Sequence, residues 1–391
     1  MIPALSDPTG DPDLLYTDVE DALRSSVRDL LADRCPAASV TALYDGDRSP
    51  VAPLWRALAA DLGLAGLLVP EPAGGAGASA REAAVVLEEL GRSVAPVPFL
   101  TSAVVATTAL LPTPVEPSGI SVEPSAGPAR DLLADLLADL ASGERTAALA
   151  VPFTTTAHAF AATVRDGAGG LTGRVTSVAG AVEADVLLVP VAVDGGVEVH
   201  AVRADAVSVE PVGSLDVSRQ VADVHLDGAA STCVVPASSG DAATRQALLL
   251  GTALLASEQL GLAQWCLDTT VAYLKQRRQF GRVVGGFQAL KHRLADLYTR
   301  VESARAAARY AAATAAAGDP DREVAASIAQ AYCADVAVLA AEECVQLHGG
   351  IAMTWEHPAH LYLKRAKAAQ LAFGTPAGHR ARLGDLVDLV V

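Results

Sequence analysis

The sequence predicts an α+β protein, mostly helical, in which a small middle β domain separates an N-terminal α-helical domain from a C-terminal four-helix bundle. Three observations predict it. Apolar residues recur at helical spacing over the first third and again over the last 150 or so residues. Between them the pattern changes to short Val-rich runs punctuated by Gly, Pro and Asp. Alanine is abundant and aromatic residues make up only 4% of the chain, which suits closely packed helices. The expected divisions are 1–145, 146–240 and 241–391, and a chain of 391 residues has room for two or three domains.

The elements follow in order. VEDALRSSVRDLLADR (19–34) keeps one apolar face at helical spacing, and Pro36 ends it. LWRALAADLGLAGLLVPEPAGGAGAS reads as a helix running into a Gly-rich loop. AREAAVVLEELGRSVAPVPF is a further helix broken by Gly91 and Pro96, and TSAVVATTALL is a short one. Residues 112–128 are rich in Pro, Ser and Gly and read as an exposed loop, with a helix after it at 129–142. The runs TAALAVPF, DVLLVPVAV, VEVHAVRA, VSVEPV and VADVHLDG are strands, and Asp194-Gly195-Gly196 predicts a hairpin between the second and third. Long helices are expected at 243–276, 286–317, 321–348 and 356–371, with a short one at the end, and their short connections imply an antiparallel bundle.

Composition excludes several function classes. The formal net charge of −16 argues against generic binding to nucleic acid or to an anionic membrane. No long apolar run free of charges or turn signals stands out as a membrane span, and the N-terminus lacks the basic and apolar regions of a signal peptide. Cys35, Cys233, Cys266, Cys333 and Cys344 are odd in number, scattered and without a C-x-x-C pair, so they read as reduced thiols of a cytoplasmic protein. His348, His357, His360 and His379 cluster late. Their spacing does not suit a helical ligand pair and no cysteine joins them, so they read as packing or capping residues and no metal is expected. Lys364, Arg365 and Lys367 are expected to meet solvent or a partner chain.

Against this acidic background one block is cationic. Lys275, Arg277, Arg278, Arg282, Lys291, Arg293 and Arg300 face only Asp296, and a phosphate-bearing ligand is the simplest reason. Within it, Arg277-Arg278-Gln279-Phe280-Gly281 is followed by Phe287-Gln288-Ala289-Leu290-Lys291-His292 and, some 60 residues later, by Gln346-Leu347-His348-Gly349-Gly350. This pattern closely resembles the C-terminal helical domain of the flavin-dependent acyl-CoA dehydrogenases, and residues 52–100 are similar to the N-terminal domain of that family.

The resemblance implies FAD shared between two subunits, with one holding the isoalloxazine ring and its neighbour holding the pyrophosphate and adenosine. The matching neighbour-side positions are Arg277, Gln279, Phe280, Gln288, Gln346, Gly349 and Gly350. Their chemistry suits the task. Arg277 offers a charged planar fork, Phe280 an apolar face, the glutamines both donors and acceptors, and the glycines close backbone approach. The family's reaction, α,β-dehydrogenation of an acyl-CoA thioester, needs a carboxylate base in a dry pocket. The resemblance gives two places for it, and here both lack a carboxylate: Phe373 stands at one and Gly251 at the other. Glu258 is the nearest carboxylate on the same helix. It shares the face of Gly251 about 10 Å along the axis and reads either as a displaced base or as a buried structural residue.

The ring-side half departs from the family too. ALAVPFTTTAHAF, with Thr154, Thr155 and Thr156, stands where a small-residue turn is usual, and GRVTSVAGA replaces the tryptophan segment. The chain therefore resembles the base-lacking subunit of actinobacterial heterotetrameric acyl-CoA dehydrogenases, which act on steroid side chains and other bulky acyl-CoAs. That resemblance implies an α2β2 assembly with a second acyl-CoA dehydrogenase chain, an acyl-CoA substrate and electron transfer to an electron-transfer flavoprotein. Two other readings stay open: a self-sufficient homotetramer using Glu258, and an assembly subunit that has lost redox chemistry.

Overall fold

The computed structural model describes residues 13–111 and 128–389. The Pro-, Ser- and Gly-rich stretch read as a loop lies, over 112–127, outside the described residues.

Helix α1 (Asp18–Arg34) starts on a capping box, in which the Thr17 hydroxyl accepts from the Glu20 N–H and the Glu20 carboxylate accepts from the Thr17 N–H. α2 (Ala37–Ala42) and α3 (Val51–Arg56) follow, the latter running into a π-helical turn at Ala57–Asp61. α4 (Ala80–Arg92) repeats the capping box with Ser79 and Glu82. A π-helical segment, Phe99–Ala106, leads into α5 (Thr107–Leu110), and α6 (Pro128–Ser142) completes the N-terminal helices.

Gly91, expected to break its helix, lies instead inside α4, where a side chain has no room. A Cβ there would sit 2.1 Å from the Glu258 carbonyl oxygen, and one on Gly261 would sit 1.9 Å from that of Glu88. The two glycines let α4 and the long helix carrying Glu258 and Gly261 cross with their backbones almost touching.

The chain then forms eight strands: β1 (Ala147–Leu149), β2 (Val164–Gly167), β3 (Gly170–Ala179), β4 (Val186–Val193), β5 (Gly196–Arg203), β6 (Ser208–Pro211), β7 (Val221–Ala229) and β8 (Thr232–Val235). They make one sheet in the order β6-β7-β3-β2-β4-β5-β8, with β1 pairing parallel to β4. β4 and β5 form the expected hairpin, in which Val193 opposes Gly196 and Gly195 takes φ +97°. β2, β3 and β8 are absent from the five runs read in the sequence. β3 hides its alternation behind a bulge between Val175 and Val178, where Ser177 adopts φ +54°.

Helices return with α7 (Gly240–Gln276), 37 residues long. A small hairpin, β9 (Arg278–Gln279) and β10 (Arg282–Val283), precedes α8 (Gln288–Ala317). α9 (Arg322–His348), α10 (Ala359–Leu371) and α11 (Pro376–Leu386) complete the bundle. The stretch Arg322–Met353 is apolar and long enough to cross a membrane by composition, but 72% of its most apolar window is buried within the protein, as the inner helix of the bundle. The main hydrophobic core joins residues of α1, α4 and α5 to residues of α7, α8 and α9, so both sets of helices share one interior. A second core, with Leu171, Leu187, Val189 and Val224, belongs to the sheet alone.

Candidate functional site

The two positions where the resemblance placed a carboxylate meet in space. A Cβ built on Gly251 lies 2.9 Å from Cζ of the Phe373 ring and 2.8 Å from Cγ2 of Val105. The Phe373 ring thus fills the volume a side chain at 251 would need, and it is 3% exposed. The loop after α10 holds it there. Phe373 adopts φ +52°, a left-handed conformation costly for a bulky residue. Its N–H donates to the Phe153 carbonyl at 2.7 Å, His379 Nε2 donates to its carbonyl at 2.9 Å, and Gln330 Nε2 donates to the Ala372 carbonyl at 2.9 Å. The Phe153 ring meets it edge-on with centroids 5.3 Å apart. Gly374, at φ +105°, presses on Thr156, since a Cβ there would come within 2.4 Å of Thr156 Cγ2. The Phe373 ring and the Val105 methyl therefore occupy the space beside Gly251, with the Phe153 ring packed against Phe373.

Glu258 is buried and doubly paired. Arg219, from the segment before β7, donates to Oε2, and Arg365 Nη1 on α10 lies 3.7 Å from Oε1. Arg365 Nε also lies 3.2 Å from Asp216 Oδ2, and its Nη2 donates to the Ala95 carbonyl at 3.1 Å. Burial pushes the Glu258 carboxyl up, but the Arg219 and Arg365 charges and the Arg219 hydrogen bond outweigh it and hold the group below the usual carboxylate range. A base needs the opposite tuning. Arg365, expected at a surface, is 2% exposed because two carboxylates neutralise it. The four charges tie the β domain, α7 and α10 together. Asp216 and Arg219 carried no sequence signal, since their partners are far away in the chain.

The seven residues expected at a neighbour's nucleotide lie on the opposite end of the bundle, all exposed. Arg277, Gln279 and Phe280 sit on the β9–β10 hairpin, and Gln288 opens α8. Phe280 takes φ +53° and Gly281 φ +73°, a turn that leaves the ring 89% exposed, edge-on to Phe287 at 6.0 Å. Gln346, Gly349 and Gly350 come from the end of α9. One stack joins the two groups: the Arg277 N–H donates to the Tyr273 carbonyl at 2.9 Å, and the Tyr273 ring stacks at 4.4 Å on His348, the residue before Gly349. Cβ atoms on Gly349 and Gly350 would meet nothing within 4 Å. Among the described residues Arg277 and Arg278 have no carboxylate partner, while Arg293 is bound by Glu343 at 2.7–2.9 Å. Of the late histidines, the His348 and His357 rings lie tilted against each other with centroids 4.3 Å apart, and His379 donates to the Phe373 carbonyl.

This architecture matches known proteins. The family model for the acyl-CoA dehydrogenase N-terminal domain matches residues 17–113, and that for the C-terminal domain matches residues 239–386. Acyl-CoA dehydrogenase IpdE2 of Mycobacterium tuberculosis is 34% identical over 354 residues, covering 90% of this chain and 92% of the relative. The chain belongs to the acyl-CoA dehydrogenase family. The ChsE4-ChsE5 complex from Mycobacterium tuberculosis contains a chain that superposes with a TM-score of 0.81 at 27% identity, covering 97% of this chain and all of that one. A chain of the Tcur3481-Tcur3483 steroid ACAD superposes at 0.79 with 29% identity, covering 95% and 98%.

The two regions that match the family's nucleotide and base positions differ in this chain. The nucleotide half fits FAD. It has open space over Gly349 and Gly350, an unpaired Arg277, an exposed aromatic face and a helix N-terminus at Gln288 with no acidic residue in its first turn. The half that would face a reacting acyl group is packed by Phe373 and Phe153 and offers no ionisable group at Gly251.

Proposed function

We propose that this chain is the base-lacking subunit of a heteromeric FAD-dependent acyl-CoA dehydrogenase, and that it completes the flavin site of a second, catalytic subunit. One observation carries the reading: neither base position carries a carboxylate, and the Phe373 ring fills the side-chain space of Gly251. The reaction is α,β-desaturation of an acyl-CoA thioester, for which a bound flavin supplies the hydride acceptor. A carboxylate of the partner subunit takes the α-proton. This chain's part is to bind and orient. Arg277 neutralises the pyrophosphate, Phe280 covers the adenine, and Gln279, Gln288 and Gln346 offer polar contacts beside the open backbone of Gly349 and Gly350. An α2β2 assembly, electron transfer to an electron-transfer flavoprotein and a bulky acyl group such as a steroid side chain belong to the same proposal, supported by the steroid ACAD among the structural neighbours.

The test is co-expression with candidate partner chains. The complex is expected to be yellow and active, and the isolated chain to hold little flavin. In the complex, Arg277→Ala with Phe280→Ala is expected to weaken FAD binding by about 10- to 100-fold, the worth of one charge-assisted hydrogen bond plus stacking. Unchanged flavin content in that double variant would overturn the nucleotide role, and absence of flavin from every complex would favour a non-redox assembly subunit.

A further inference from the structure

We propose that Glu198, His200 and Cys233 form a site for one divalent metal ion of the zinc class, which clips the last strand of the sheet to its neighbour. Glu198 and His200 are two apart on β5 and so share a face. Cys233 on β8 is the direct cross-strand partner of His200, a register created by the bulge after Val199. A ligand atom from each of the three residues lies within 4.8 Å of the other two. Zinc bonds of 2.0–2.3 Å place tetrahedral ligands about 3.3–3.8 Å apart, so small side-chain rotations close the site.

The histidine is already held for the task. It is 6% exposed, its Nδ1 lies 2.9 Å from Ser231 Oγ, and its Nε2 lies 2.8 Å from Glu198 Oε2. In the metal-bound form the ring proton lies on Nδ1 and is donated to Ser231 while the Nε2 lone pair turns to the metal, which is how an outer hydrogen bond fixes a metal-bound imidazole. Binding proceeds with one proton lost to solvent: the imidazole proton shared with Glu198 at Nε2 moves to Nδ1, Cys233 Sγ–H gives up its proton and the thiolate coordinates, while Glu198 exchanges its hydrogen bond to His200 for the ion. One carboxylate and one thiolate then balance the two charges of the metal. Thiolate and imidazole donors select zinc over magnesium or calcium. The Glu198 side chain is 29% exposed, which leaves solvent an entry path and a fourth coordination position.

The place of the site gives it consequence. β8 leads directly into α7, whose first residue, Gly240, packs so closely on β5 that a Cβ there would lie 2.1 Å from the Val197 carbonyl oxygen. An ion bridging β5 and β8 therefore fixes the strand that delivers the longest helix. This inference is independent of the subunit role proposed above.

Titration of the chelator-treated full chain with zinc chloride tests it. One ion per chain is expected, Cys233→Ser should bind at least about 100-fold more weakly, and Ser231→Ala about 10-fold more weakly. Cobalt(II) should give a near-ultraviolet thiolate charge-transfer band that Cys233→Ser lacks, and zinc should raise the melting temperature of the parent chain but not of that variant. Equal zinc affinity in Cys233→Ser, or no cobalt–thiolate band, would mean an adventitious ion only and would sink the proposal.

Discussion

Glu258 sits between two guanidinium groups, and that environment decides what a substitution there does. Glu258→Gln removes one member of a buried four-charge cluster and leaves Arg219 and Arg365 short of a counter-charge. A loss of about 3–5 kcal/mol in unfolding free energy is expected, measured by denaturant titration. Turnover of the assembled complex should survive in the fraction that folds. Lost turnover with flavin retained would instead make Glu258 the base and favour the self-sufficient homotetramer. The pH dependence has a defined sign. The folded carboxyl is held below its unfolded value, so its stabilisation is present above the ordinary Glu range and disappears as pH falls through the lowered folded value. Stability at acid pH should therefore fall less steeply in Glu258→Gln than in the parent chain. At Phe373, replacement by Ala removes a buried ring and relieves little of the left-handed strain, so a loss of about 3–5 kcal/mol is expected.

At the scale of elements, the crossing of α4 and α7 is the most demanding contact. Gly91→Ala or Gly261→Ala drives a methyl into a backbone carbonyl that no rotamer can move. Either change should cost about 3 kcal/mol or more, at the upper end of overpacking effects, and thermal melting of the purified variants checks it. Much of the helical architecture was legible. α1 and α7–α10 lie within a few residues of their expected limits, because long amphipathic or Ala-rich stretches with caps carry their own signal. Gly91 misled because a helix-interior glycine looks the same in sequence whether it ends a helix or lets another helix approach. β3 was obscured by its bulge, and β8 is short. The β9–β10 hairpin was covered by the Arg277–Phe280 motif, which gave its residues but not their turn. Glu198, His200 and Cys233 were invisible as a group, since only the strand register brings a cysteine opposite an E-x-H pair.

For the whole molecule, the two ends of the bundle behave differently. The end near Gly251 is dry, crossed by charges that cancel, and closed by aromatic rings. The end near Arg277 is exposed, cationic and spacious around its glycines. The sequence revealed both, the first through two missing carboxylates and the second through an arginine-rich block in an acidic chain. It could not reveal that the missing carboxylates face one another, because 251 and 373 are joined only by folding. In the assembled complex, raising ionic strength should weaken flavin retention more in the parent than in Arg277→Ala, since part of the parent's grip is an exposed charge contact. Equal salt sensitivity, read by flavin fluorescence after gel filtration, would place the dinucleotide away from Arg277.

The shared volume at 251 and 373 also constrains descent. In this packing a large side chain at 251 and a large one at 373 exclude one another, and the Val105 methyl narrows the space at 251 further. For a lineage regaining chemistry from the present state, glutamate at 251 is blocked by both the Phe373 ring and the Val105 methyl, whereas position 373 already holds a large side chain against a glycine. Re-evolution would run through the loop first.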